Sequence, residues 1–230
     1  MHPEGCHSCG RTNYKCLSRI VREPEGQGGL PVLAQELQLS RLFVNYQKIV
    51  CWGDSQTFGA RTYGCYPLYL IRILNAETRY TWSAISICKN GYTARDLWFQ
   101  VGSDLMTMND AKQACVLVGA NDVGNGTSVE LFAEYYRQIL DALTIAQFRV
   151  VHCGEIPRIF ADGHPYFARD CESRRAEYNS ALENAVSSTS IARLVRFPEL
   201  AESHLVDPVH FSEQGNLAIA RAFASSVKAY

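Results

Sequence analysis

The chain of 230 residues predicts an α/β protein: a three-layer α/β/α domain on a parallel sheet, preceded by a short N-terminal extension. Three observations carry that class. Five short apolar runs rich in β-branched and aromatic residues recur along the chain. Segments with apolar residues at helical spacing separate them. The runs are continuously apolar rather than alternating, as expected of strands buried on both faces of a parallel sheet.

The elements follow in order. The first strand is expected over 48–52, Lys-Ile-Val-Cys-Trp. A helix over 67–74 places Leu68, Ile71 and Leu74 at helical spacing, and a second strand covers 80–87. A helix over 94–106 carries Leu97, Trp98, Val101 and Leu105, and a third strand covers 114–118. The helix expected over 129–143 carries Leu131, Phe132, Tyr135, Ile139 and Leu143. A fourth strand covers 148–153, and the helix after it, over 169–188, is charged early and apolar later. The fifth strand covers 192–197. The last helix, over 213–230, repeats Leu217, Ala220, Phe223, Ala224 and Val227. The domain therefore runs over 46–230, with five strands. Residues 1–45 stand apart, with Cys6-x-x-Cys9, Cys16, a turn-like stretch over 24–29 and a helical stretch near 32–43.

Composition bounds the function. At 47% hydrophobic and 20% charged residues, the chain is too apolar to be disordered and long enough to bury a sizeable core. The net charge of −1 offers no field to hold a polyanion, so nucleic acid is not an expected partner. No apolar run reaches the roughly 18 residues that a membrane helix needs. The first residues lack the basic and apolar regions of a signal peptide, which reads as a cytoplasmic protein. The nine cysteines are an odd number, and Cys51, Cys88, Cys115 and Cys153 lie in or beside apolar runs. They are expected as core thiols in a reducing compartment rather than as a disulfide framework.

In an open α/β sheet the reacting groups gather at the carboxyl ends of the strands. The loop after the first strand reads Gly53-Asp54-Ser55-Gln56-Thr57-Phe58-Gly59. The loop after the second reads Lys89-Asn90-Gly91-Tyr92-Thr93, and that after the third Gly119-Ala120-Asn121-Asp122. Before the last helix comes Asp207-Pro208-Val209-His210-Phe211. These are the parts of a serine esterase. A serine hydroxyl is a poor nucleophile until a base takes its proton, and His210 is the expected base. Asp207, three residues earlier, is the expected acceptor for its other ring nitrogen. The Ser55 N–H, the Gly91 N–H and the Asn121 amide are candidate donors for the oxyanion of a tetrahedral intermediate. Asp122 is expected to hold its loop through backbone N–H groups.

These blocks resemble the SGNH hydrolases, the GDSL esterase/lipase family. The first block is Gly53-Asp54-Ser55 with Thr57 and Gly59, and the second is Gly91. The third is Gly119-x-Asn121-Asp122, and the last is Asp207-x-x-His210. All stand in the family's order over roughly residues 48–225. The resemblance implies a flavodoxin-like parallel sheet and hydrolysis of esters or thioesters, often the removal of acetyl groups from carbohydrate. It implies Ser55 as nucleophile, His210 as base, Asp207 as its partner, and Ser55, Gly91 and Asn121 as the oxyanion hole. No cofactor is implied. Gln56 departs from the family's leucine. The chain has no Gly-x-Ser-x-Gly elbow, which argues against an ordinary α/β-hydrolase.

Other readings stand beside these. Ser55 alone also fits a helix N-cap. His204 has Ala201, not a carboxylate, three residues before it, and His152 reads as a core histidine. The long aromatic loop over 156–167 makes Arg158, Phe160 and Tyr166 candidate substrate contacts. Cys6, Cys9 and Cys16, with His2 or His7, could hold zinc, although one Cys-x-x-Cys without a second pair is a weak motif. Residues 33–41 resemble the middle of a helix-turn-helix but carry few basic residues; a helix packed on the domain is the plainer reading. The expected function is ester hydrolysis through an acyl-enzyme, with short O-acetyl esters such as acetylated carbohydrate as first substrate class. Action on longer acyl chains as a lipase or thioesterase, or carbohydrate binding without turnover, are the alternatives.

Overall fold

The computed structural model describes residues 45–106, 110–160 and 170–230. The predicted helix near 32–43, the helix-turn-helix-like segment, Cys6, Cys9, Cys16 and Tyr166 lie outside the described residues.

Five parallel strands form one sheet in the order β2-β1-β3-β4-β5. They are β1 (Tyr46–Gly53), β2 (Thr81–Cys88), β3 (Gln113–Leu117), β4 (Val150–Gly154) and β5 (Ala192–Val195). Their interior residues alternate between two apolar layers. Val50 and Trp52 of β1, Ala114 and Val116 of β3, and Val151 and Cys153 of β4 enter one layer. Ile49 and Cys51, with Cys115 and Leu117, enter the other. A strand buried on both faces cannot alternate apolar with polar residues, which is why these runs read as continuous.

Helices cover both faces. α1 (Ser55–Phe58) and α2 (Tyr66–Glu77) follow β1; α3 (Ala94–Asp104) follows β2. α4 (Ala120–Asn125) and α5 (Val129–Ile145) follow β3; α6 (Cys171–Ser187) lies between β4 and β5, and α7 (Glu213–Lys228) closes the chain. α2 and α7 share one layer, where Tyr66 stacks on Phe223 with ring centroids 4.9 Å apart. α3, α5 and α6 share the other. Local chemistry sets the starts. Thr93 and Asp96 form a capping box for α3, and the Ser128 and Ser212 hydroxyls cap α5 and α7.

The predicted face of α2 was wrong by about a third of a turn. Tyr66, Leu70 and Leu74 are buried, whereas Leu68 is exposed. Tyr66 and Leu70 lie four apart and reach α7 together, a contact that spacing within one helix cannot announce. On α5, Leu131 is likewise exposed, and Tyr136 and Leu140 are buried instead. Among the described residues, no helix is long and apolar enough to cross a membrane. Cys51, Cys115 and Cys153 are buried free thiols as expected, and Cys88, at the end of the edge strand, is half-buried.

The order of the strands positions the site. β1 has β2 on one side and β3 on the other, so the chain leaves it at the point where the winding reverses. Gly53 pairs with Cys88 and with Leu117, which puts the carboxyl ends of all three strands side by side.

Candidate active site

The turn from β1 into α1 needs a glycine. A Cβ on Gly53 would lie 2.0 Å from Thr57 Oγ1 and 2.3 Å from the Leu117 carbonyl oxygen. Asp54, not Ser55, is the N-cap: its carboxylate accepts from the Gln56 N–H at 2.9 Å. Ser55 is therefore the first helical residue, and its hydroxyl is released from capping. It is only 7% exposed.

The histidine arrives on a short ordered loop. Leu205 and Phe211 form an antiparallel bridge, and the Val206 N–H donates to the His210 carbonyl at 2.9 Å. Inside this loop, Asp207 Oδ1 accepts from the Val209 N–H at 3.0 Å and from the His210 N–H at 2.8 Å. Its other oxygen, Oδ2, lies 2.7 Å from His210 Nδ1. His210 Nε2 lies 3.0 Å from Ser55 Oγ. Three groups that are up to 155 positions apart in the chain thus form one hydrogen-bonded line. Burial works to raise the Asp207 pKa, but the bonds from His210 and from the two N–H groups outweigh it and hold the carboxyl below its usual range. Asp207 is therefore a carboxylate at neutral pH, able to accept from the ring and to offset charge on it.

The loops are tied together. The Gln56 amide donates to the Val209 carbonyl at 2.8 Å, joining the serine turn to the histidine loop. Sequence reasoning saw Gln56 only as a departure from leucine. Arg61, in the loop after α1, has a nitrogen 3.1 Å from Asp207 Oδ2. Nothing in the sequence marked it.

In the loop after β2, Gly91 has φ +85°, a left-handed conformation that suits glycine, and a Cβ there would meet nothing within 4 Å. The space beside it is open. Among the described residues nothing accepts from the Gly91 N–H. Asn121 donates through Nδ2 to the Tyr92 carbonyl at 3.0 Å, which anchors its amide beside the glycine turn. One Nδ2 proton is left for another acceptor. Asp122 accepts from the Ala94 N–H at 2.9 Å and so fastens the start of α3 to the third loop, the structural part expected of it.

Two carboxyls beneath the site are perturbed. Asp54 is fully buried with Oδ2 unpartnered, and its pKa is pushed up to about 7 by burial, against the bond from Gln56 and with a further push from Asp122. Burial also raises Asp122 to about 7, against its bond from Ala94.

The remaining candidates separate. The Phe160 N–H donates to the Pro208 carbonyl at 2.8 Å. Its ring helps line a cavity of about 330 Å³ with Glu202, Leu205, Val206, Asp207 and Pro208, beside the histidine loop. Arg158 stacks over the Phe160 ring at 4.4 Å and lies 3.8 Å from Glu199, lining a neighbouring cavity rather than this one. His204 Nδ1 accepts from the Ala201 N–H at 3.1 Å and closes its own turn, Glu202–His204. His152 is buried within reach of Ser226 Oγ at 2.7 Å and Gln113 Oε1 at 3.4 Å. Burial, with Arg193 nearby, lowers its pKa to about 4, so it is a neutral core histidine. Among the described residues no cluster could hold a metal ion.

Comparison with solved structures places this arrangement among known folds. A lipase/acylhydrolase from Enterococcus faecalis superposes with TM-score 0.68 at 17% identity, over 80% of this chain and 96% of that one. A GDSL-like lipase from Bacteroides thetaiotaomicron gives 0.65 at 11% identity, over 85% and 97%. A catalytic mutant of an acetylxylan esterase from Geobacillus stearothermophilus gives 0.63 at 17%, over 79% and 94%. At such identities the likeness carries the fold. No curated protein matches the sequence. The model of the GDSL-like lipase/acylhydrolase family matches residues 51–218, well over half of the chain and every block described above from Gly53 to His210. The chain belongs to the GDSL-like lipase/acylhydrolase family and is a hydrolase of ester bonds.

Proposed function

We propose that the chain is a serine esterase in which Ser55 is the nucleophile, His210 the general base and Asp207 its charge partner. The observation that supports this most is the unbroken line Ser55 Oγ, His210 Nε2, His210 Nδ1, Asp207 Oδ2, with separations of 3.0 and 2.7 Å. In the acylation step, Ser55 Oγ attacks the ester carbonyl while Nε2 takes its proton. Asp207 stabilises the imidazolium. The carbonyl oxygen becomes an oxyanion, which receives hydrogen bonds from the Ser55 and Gly91 N–H groups and from the free Nδ2 proton of Asn121. The tetrahedral species collapses, the alcohol leaves with the proton held by His210, and an acyl-Ser55 remains. Water, deprotonated by His210, attacks that acyl group, and the acid departs as Ser55 recovers its proton.

The substrate class we propose is a short-acyl ester, O-acetyl on carbohydrate first. Two observations support it. The cavity beside the histidine loop, at about 330 Å³, mixes an aromatic ring and aliphatic walls with the Glu202 carboxylate. Such a lining suits a sugar, whose ring faces are apolar and whose hydroxyls are donors. One structural neighbour is an acetylxylan esterase from Geobacillus stearothermophilus. Arg158, which lines the neighbouring cavity, would meet a substrate that extends past Phe160.

The test is hydrolysis of p-nitrophenyl acetate, butyrate and octanoate and release of acetate from acetylated xylan, comparing wild type with Ser55→Ala. The expected result is turnover fastest on acetyl and a loss of at least ~10³-fold in the variant. A variant that keeps wild-type turnover would overturn the nucleophile. An octanoate preference would replace the acetyl reading with a long-chain lipase.

A further inference from the structure

The loop joining α1 to α2 is built around two left-handed residues. Gly59 ends α1 at φ +79°, and Arg61 follows at φ +65°. Glycine adopts this conformation at no cost, whereas for arginine it is unfavourable and persists only where the surroundings enforce it. Among the described residues the other left-handed non-glycine, Gln147 at φ +60°, closes the end of α5. Arg61 has no such duty, because Gly59 already ends α1. The loop is nonetheless held firmly. The Thr62 N–H donates to the Gly59 carbonyl, and the Thr62 hydroxyl lies 3.0 Å from that oxygen and 2.6 Å from the Gly64 carbonyl.

The consequence of this turn is where it sends the Arg61 side chain. The guanidinium reaches Asp207 Oδ2 at 3.1 Å, and this oxygen is the one facing His210 Nδ1 at 2.7 Å. Oδ1 is already engaged by two backbone N–H groups. Both oxygens of the carboxylate are then contacted, and Arg61 approaches Oδ2 with a side chain that is itself largely in solvent. It also comes from the serine loop, so it repeats at the surface the tie that Gln56 makes in the interior.

We propose that Arg61 is a positioning residue of the reaction, acting through Asp207. The inference rests on the triad proposed above. Two effects follow. The one guanidinium nitrogen beside Oδ2 helps to keep that oxygen directed at the ring nitrogen, which favours the imidazolium geometry of the transition state. Its positive charge offsets part of the Asp207 charge at the ring, whose other neighbours on the line are Asp207 and the neutral Ser55 hydroxyl. The side chain is two-thirds exposed, so water screens it and both effects are modest.

The test compares Arg61→Gln, Arg61→Lys and Arg61→Gly with wild type on p-nitrophenyl acetate, a neutral ester, at fixed ionic strength. Arg61→Gln is expected to lower kcat by roughly two- to fivefold with KM unchanged, the range that an exposed ion pair supports. The acid limb of its kcat/KM profile is expected to move to higher pH by a few tenths of a unit, because the ring loses a neighbouring positive charge. Arg61→Lys should return the limb to its wild-type position while recovering only part of kcat, since a flexible, strongly hydrated ammonium holds the oxygen less rigidly than a planar guanidinium. Arg61→Gly should match the glutamine variant in rate yet melt no lower than wild type, because glycine relieves the left-handed backbone.

Unchanged kcat and an unchanged acid limb in both the glutamine and glycine variants would overturn the proposal. A rise in KM at constant kcat would also overturn it and make Arg61 a substrate contact. A rate loss that follows a lowered melting temperature in the glycine variant would reduce Arg61 to a structural residue. Ser55→Ala in the same assay keeps the two claims apart. If Ser55→Ala is inert while the Arg61 variants equal wild type, only this inference fails. If Ser55→Ala is active, the triad itself fails.

Discussion

Replacing Asp54 with asparagine would expose how much stability is given up to hold a carboxyl beneath the nucleophile. Asp54 is fully buried, and burial pushes its pKa up to about 7 against the N–H bond from Gln56. In the unfolded chain the same group titrates near 3.8. Between those values the folded protein keeps a proton that the unfolded chain releases. The stability contributed by this group is thus fully present below the unfolded pKa and is lost as pH rises through the folded one. The slope is about 1.4 kcal/mol per pH unit, which over the window comes to at most about 4 kcal/mol. Asparagine keeps the cap, since its side-chain oxygen accepts from the Gln56 N–H as the carboxylate does. It has no charge to bury. The variant should therefore gain on wild type as pH rises from about 4 to about 7 and hold a constant lead above that. For a domain of this size the full lead corresponds to roughly 8–16 °C in melting temperature. Urea denaturation of both proteins across that pH range measures it directly. A difference between them that stays constant from pH ~4 to ~8 would refute the argument, because it would mean that Asp54 titrates alike in the folded and unfolded states.

His152 should behave in the opposite sense. Its folded pKa of about 4 lies below the ordinary 6.5, so its stability is present above 6.5 and lost as pH falls towards 4. His152→Gln should become less acid-sensitive than wild type, which acid titration followed by circular dichroism reads. Gln56→Ala leaves the Val209 carbonyl without its donor in the interior and should cost about 1–3 kcal/mol, with a fall in kcat as the two loops loosen; denaturation and steady-state kinetics check both. Gly119→Ala would put a Cβ 2.5 Å from Ile156 Cδ1 at a φ of +132°, and should destabilise by roughly 2–5 kcal/mol in a melting experiment.

Much of this molecule was legible before any coordinates. The strands 48–52, 114–118 and 148–153 lie within one to two residues of β1, β3 and β4, because a strand buried on both faces has to be apolar throughout. Three of the motif loops were legible because each directly follows a strand, and the fourth, Asp207 to His210, because it stands just before the last helix. What escaped is what depends on distance in the chain or on shortness. α1 and α4 have four and six residues, too few for a helical period to register. Leu68 sat on the right period and the wrong face, because the partner that selects the face is Phe223 on another helix. Ser55 taken alone also fitted a helix N-cap, and the Gln56 N–H bond to Asp54 shows that Asp54 is the cap. Gln56 and Arg61 could not be read at all, since their partners, Val209 and Asp207, lie about 150 residues away.

The central claim is that Ser55 becomes a covalent acyl carrier, and trapping it is the most direct test. A p-nitrophenyl phosphonate delivers its phosphorus to an activated serine oxygen and expels p-nitrophenolate, leaving a stable adduct. Intact mass followed by peptide mapping should find one phosphonyl group per chain, on the peptide carrying Ser55, with activity lost in step and no labelling of Ser55→Ala or His210→Ala. An adduct on another residue, or an enzyme that hydrolyses esters at full rate with Ser55 unlabelled, would contradict the account.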